Sequence, residues 1–168
     1  MNKLLKTFSI ILLIFNVGGC GTGSNNQEKI FNDNKRLMDS GDSYTFSSKT
    51  GKITEDHAEI KFSGFSGVYT VWSITSDADV TTKININGNA KDDKFKIIQV
   101  NEYKELITLW NGEGATELTI SIPKGSSAIK WAGKHASGKV MMELETKSEM
   151  KIASQKDLFE GDEFFKKD

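Results

Sequence analysis

Val80-Thr81-Thr82-Lys83-Ile84-Asn85-Ile86-Asn87 decides the fold. Val80, Thr82, Ile84 and Ile86 alternate with Thr81, Lys83, Asn85 and Asn87, and a period of two marks a strand with one face on a core and one in water. Ile84 and Ile86 are therefore expected buried, and Lys83 and Asn85 exposed. Asn87-Gly88-Asn89 ends the run with turn chemistry. Downstream, 95–100 and 106–110 are two β-rich runs separated by the polar residues 101–105, which predicts a hairpin. Asn111-Gly112-Glu113-Gly114 turns the chain, and Thr116, Leu118, Ile120 and Ile122 alternate again with polar residues. Pro123-Lys124-Gly125 leads to Ile129 and Trp131 on one face, the loop 133–138 follows, and Val140, Met142 and Leu144 continue in phase toward Ile152. Upstream, Ala58, Ile60 and Phe62 alternate with His57, Glu59 and Lys61, while 68–74 is apolar on both faces and so belongs at the centre of a sheet. Eight or nine short strands with no room for crossover helices predict an all-β, antiparallel β-sandwich or jelly roll over 43–152, with a closed barrel as the second choice.

Outside the strand region the pattern changes. In 28–41 the pairs Ile30-Phe31 and Leu37-Met38 lie seven apart, which predicts a three-turn helix over 28–39 with Gly41 as its stop. At the other end, Ser154-Gln155-Lys156-Asp157 has the form of a capping box, and Leu158, Phe159, Phe164 and Phe165 predict a short helix or tail over 153–168. The N-terminus carries Lys3 and Lys6 and an apolar run over 8–17. That run is about half of the roughly 20 residues a spanning helix needs, so it reads as the core of a signal peptide.

The foot of that run, Val17-Gly18-Gly19-Cys20, holds the only cysteine in the chain. It resembles the lipobox of bacterial lipoproteins. The resemblance implies that the Cys20 thiol takes a diacylglycerol, that residues 1–19 are removed, and that the protein is held at the extracytoplasmic face of the cell membrane. Residues 20–27, small and polar, then read as a tether. With Cys20 acylated no thiol is left for a disulfide, a metal cluster or a cysteine nucleophile. The 22 basic residues include Lys3 and Lys6, so the processed chain keeps 20 against 23 acids and carries a net charge of −3. That balance argues against nucleic acid and against a polybasic membrane patch. Arg36 is the only arginine and Pro123 the only proline, a Lys-, Asn- and Ile-rich usage similar to that of small lipoproteins from low-GC Gram-positive bacteria.

A looser resemblance covers 116–144, TELTISIPKGSSAIKWAGKHASGKVMMEL. An alternating strand, a Gly turn, an apolar strand, a Gly-rich loop and a last strand resemble the closing strands of jelly-roll carbohydrate-binding modules. This implies a fold; no sugar-binding residue of such a module is matched position by position.

The candidate chemistry is sparse. His57 follows Asp56, but adjacent strand residues point to opposite faces. His135, in the 133–138 loop, has no Gly-x-Ser-x-Gly elbow in the chain to partner it. Asp77, Asp79, Asp92 and Asp93 flank strands, yet the spacing after Asp79 departs from an EF-hand loop. Of the tryptophans, Trp72 and Trp131 phase with the core, whereas Trp110 precedes a turn and is expected exposed. The sequence is therefore read as a non-catalytic binding or envelope-interaction module without cofactor or metal. Its expected ligand residues are Tyr103, Trp110 and His135 at a loop end of the sandwich. Its expected partners are the membrane through the Cys20 anchor and a cell-wall glycan or an envelope protein. A carbohydrate-binding module and a small hydrolase using His135 are the alternatives.

Overall fold

Two strands carry the architecture. In the computed structural model, which describes residues 26–90 and 93–155, β3 (His57–Ser76) and β8 (Gly125–Leu144) pair antiparallel from His57 opposite Glu143 to Ser76 opposite Gly125. Each is 20 residues long, far beyond an ordinary strand, because each bends midway and serves two sheets. The register slips twice between Phe62 and Gly67, and such bulges bend a strand and raise its twist. Glycine is required at the bend. Gly67 has φ +108 and a Cβ there would lie 2.0 Å from the Ser43 carbonyl oxygen, while a Cβ on Gly133 would lie 2.3 Å from the Phe65 ring.

The first half of β3 and the second half of β8 form sheet A, in the order β2-β3-β8-β4-β7, with β2 at Ser48–Ile53, β4 at Val80–Asn89 and β7 at Glu113–Ile122. The second half of β3 and the first half of β8 form sheet B, in the order β9-β3-β8-β5-β6, with β1 (Ser43–Thr45) also on β3. There β5 is Phe95–Asn101, β6 is Leu106–Trp110 and β9 is Met150–Ser154. Every pairing is antiparallel, and the two sheets close on one core: the fold is an antiparallel β-sandwich. Ile84 and Ile86 of β4 are buried and Lys83 and Asn85 are exposed, as the alternation requires. Across the sandwich the Phe62 ring lies 5.1 Å from Phe95 and 5.8 Å from Trp131. Trp131 donates its indole N–H to Met142 Sδ at 3.1 Å, and Trp72 donates its own to the Thr54 carbonyl at 2.6 Å.

The N-terminal segment departs from a single helix over 28–39. It forms a 3-10 turn, Lys29–Asn32, and a short helix α1, Asn34–Met38, divided at Asp33. Asp33 sits in extended backbone and accepts from the Arg36 N–H at 3.2 Å. An acid flanked by two asparagines favours capping over helix interior, and this cap wins. The seven-residue spacing still does its work: Ile30 and Leu37 are fully buried on Val68, Ile98, Val100 and Ala132, the outer face of sheet B. This is why β5 and the middle of β3 are apolar on both faces. Among the described residues no helix is long and apolar enough to cross a membrane. Cys20 with the signal segment, and the C-terminal helix or tail beyond Gln155, lie outside the described residues.

Candidate functional site

The three expected ligand residues do not converge. Tyr103, in the β5–β6 loop, is 66% exposed. Its neighbour Glu102 accepts from the Ser126 N–H at 3.2 Å, near the start of β8. His135 lies at the bend of β8, about 30 Å of strand away at the usual rise per residue. It is exposed, holds φ +53, and donates its main-chain N–H to Ser66 Oγ at 3.0 Å. Among the described residues no carboxylate reaches its ring at ion-pair distance.

Trp110 corrects the expectation of an exposed aromatic: it is only 5% exposed. Ile97 pairs with Trp110 but Ile98 pairs with Thr108, so Leu109 is an extra residue in β6. The bulge turns both Leu109 and Trp110 into the core, where Trp110 meets Phe95 edge-to-face at 6.2 Å. A turn two residues on says nothing about this slip, which depends on β5.

Of the strand-flanking acids, Asp79 has a structural use. Asp79 Oδ1 accepts from the Lys124 N–H at 2.8 Å and braces the β7–β8 turn. Asp92 lies outside the described residues, and among those described no three His, Cys, Asp or Glu side chains converge as a metal site.

The outer face of sheet A is open to solvent, and sequence reasoning did not single it out. Lys83, Asn85, Asn87 and Asn89 point outward from β4. Register sets Asn85 between Glu117 of β7 and Glu143 of β8, with His57 beyond, and sets Asn87 between Ala115 and Met141, with Glu59 beyond. Three shallow depressions of about 270, 320 and 430 Å³ run along β4. The first two share Asn87 and Met141, and the last two share Asn85 and Glu143, so they form one continuous trough.

Several charged groups on this face have partners. Lys83 Nζ lies 3.0 Å from Glu117 Oε1, Lys139 Nζ 2.5 Å from Glu59 Oε1, Lys147 Nζ 2.5 Å from Glu145 Oε1, and His57 Nδ1 3.9 Å from Glu143 Oε1. The bond to Glu117 holds the Lys83 ammonium above the usual lysine value, and the bond from Lys139 holds the Glu59 carboxyl below the usual carboxylate value. Between these groups the trough offers two exposed amides, Asn85 and Asn87, beside the half-buried Met141. The alternating asparagines are legible in the sequence. Their companions are not, because Met141 and Glu143 arrive from more than fifty residues away through register.

A second groove, about 500 Å³, lies on sheet B beside α1, with Thr70, Ala128 and Lys130 in its floor. Lys130 is 2% exposed and donates to the Asp39 carbonyl at 2.5 Å, while the Asp42 carboxylate accepts from Thr70 N at 2.8 Å and Thr70 Oγ1 at 2.7 Å. Burial pushes the Lys130 ammonium down, with Asp42 and Asp39 opposing. These groups fasten the N-terminal segment to the sheet.

No family model matches the sequence, and no curated protein sequence does so either. Two solved structures show a distant likeness. One is a family 35 carbohydrate binding module from an environmental isolate, 15% identical with a TM-score of 0.34, covering 70% of this chain and 96% of that module. The other is procruciferin, an 11S globulin from Brassica napus, 15% identical with a TM-score of 0.30, covering 58% of this chain and 22% of the globulin. Neither likeness assigns a site or a ligand.

Proposed function

We propose that this chain is a lipid-anchored, non-catalytic binding module at the extracytoplasmic face of a bacterial membrane, and that its ligand lies along β4 on the outer face of sheet A. The single observation that supports the site is the trough itself. Its lysines Lys83 and Lys139 are held by Glu117 and Glu59, and its centre offers amides and a thioether. Each amide can donate and accept at once, and Met supplies an adaptable apolar contact. That combination suits an uncharged chain rich in hydroxyl or amide groups, and a cell-wall glycan is the ligand of that kind nearest to an anchored protein.

The test is a titration of the full chain with neutral cell-wall glycan fragments. The Asn85→Ala, Asn87→Ala double variant is expected to lose binding, and Tyr103→Ala to keep it. Undiminished binding by the double variant sinks this site. The anchor is tested separately: mass spectrometry of the membrane fraction is expected to find a diacylglyceryl group on an N-terminal Cys20, and Cys20→Ser to release the protein or stall its processing. Two acyl chains bury roughly 30 methylenes at about 0.8 kcal/mol each, well beyond the marginal hold of one. A soluble, unmodified processed form would rule the anchor out.

A further inference from the structure

The chain contains two Asn-Gly pairs, Asn87-Gly88 and Asn111-Gly112. This is the dipeptide in which the following main-chain nitrogen most easily reaches the side-chain amide carbon, since glycine has no Cβ to obstruct the approach. The fold treats the two pairs oppositely. Gly88 lies inside β4, paired on one side with Gly114 and on the other with Val140. In a strand the side chain of Asn87 stands off the sheet while the next peptide nitrogen lies within it, so the reacting atoms are held apart. Asn111-Gly112 is the two-residue corner between β6 and β7, where the chain crosses from sheet B to sheet A. Asn111 is exposed, while Gly112, itself buried, holds φ +105. The Gly112 carbonyl accepts from the Ala90 N–H at 2.5 Å, but among the described residues no acceptor faces the Gly112 N–H.

We infer that Asn111 is a site of spontaneous deamidation, and that the fold shields Asn87 from the same reaction. The Gly112 nitrogen, its proton taken by solvent base, attacks Asn111 Cγ. The new C–N bond closes a five-membered succinimide, the Cγ–Nδ2 bond breaks, and nitrogen leaves as ammonia. Water then opens the ring at either carbonyl, giving aspartate or isoaspartate. Only water and solvent base are consumed. The product puts a carboxylate two residues from Glu113, and the isoaspartate form lengthens the main chain at the crossing between the sheets. The amide of Asn87 in the β4 trough survives.

The test is peptide mapping by mass spectrometry of the full chain held at mildly alkaline pH, folded and in denaturant. In the folded protein Asn111 is expected to convert to aspartate and isoaspartate at least about tenfold faster than Asn87, since Asn87 must await local opening of β4. In denaturant the two are expected to convert at similar rates, because the dipeptides are identical. Equal rates in the folded protein, a faster Asn87, or an Asn111 that converts only in denaturant would each overturn the inference. Asn111→Gln is the control: it is expected to abolish the isoaspartate signal in this peptide.

Discussion

The outer faces of the two sheets solve the same problem in different ways. Sheet A leaves its face to water, and its lysines meet carboxylates of neighbouring strands: Lys83 with Glu117, Lys139 with Glu59. Sheet B is roofed by the N-terminal segment, with Ile30 and Leu37 fully buried, and its one deeply buried lysine bonds a main-chain carbonyl. A strand is thus amphipathic only where nothing covers its second face. The roof turns β5 into an apolar run although it lies in the same sandwich as the evenly alternating β4.

The sharpest way to break this contrast is to ask whether the roof belongs to the core. Ile84→Ala is expected to cost about 2–5 kcal/mol in denaturant melts, and Leu37→Ala a cost in the same range. A Leu37→Ala cost below about 0.5 kcal/mol, the level of an ordinary surface change, would show a roof that lifts freely.

The lysines sharpen it through pH. Burial holds Lys130 below the usual 10.5, so the unfolded chain binds that proton more tightly. The resulting penalty is present at neutral pH and fades as pH rises toward 10.5. Wild type is therefore expected to gain stability relative to Lys130→Met over that range. Lys83 is held above 10.5 by its bond to Glu117, so its favourable contribution is present below 10.5 and is lost as pH rises through its folded value. Wild type is expected to lose ground to Lys83→Met there. Slopes of the same sign in urea melts, read below 10.5 for Lys130 and above it for Lys83, would contradict the assignment of the two lysines to covered and open faces.

Smaller effects follow at the bend and in the trough. His135 holds a left-handed backbone with its side chain in solvent, so His135→Gly is expected to raise stability by up to about 1 kcal/mol. A measurable loss would reveal a contact made by the imidazole. Asn85→Ala is expected to stay within about ±0.5 kcal/mol in melts, leaving ligand binding as the property it changes.

What could be read from the sequence follows from how local the determining contacts are. The β4 phase was legible because every outward residue and every inward residue announces itself within eight positions. The periodicity of Ile30 and Leu37 predicts an unbroken 28–39 helix because it is indifferent to a break at Asp33 that preserves their spacing. The burial of Trp110 is not legible locally because it hangs on a bulge defined against β5. The trough escaped notice for the same reason: three strands distant in sequence assemble it, and none bears an unusual motif alone.

The two bent strands also set the order of events during synthesis. Partners on β3 and β8 lie roughly 50 to 86 residues apart, from Ser76 with Gly125 to His57 with Glu143. Loop closure over such distances places the protein among slow folders, on the millisecond-to-second scale. A nascent chain that has released β3 can already pair β1 and β2 on one edge, but the edge that β8 takes stays unsatisfied until β8 emerges. The charged residues spaced along the first half of β3, Glu59 and Lys61, then act with the bulges as a brake on strand-to-strand association between chains in that interval.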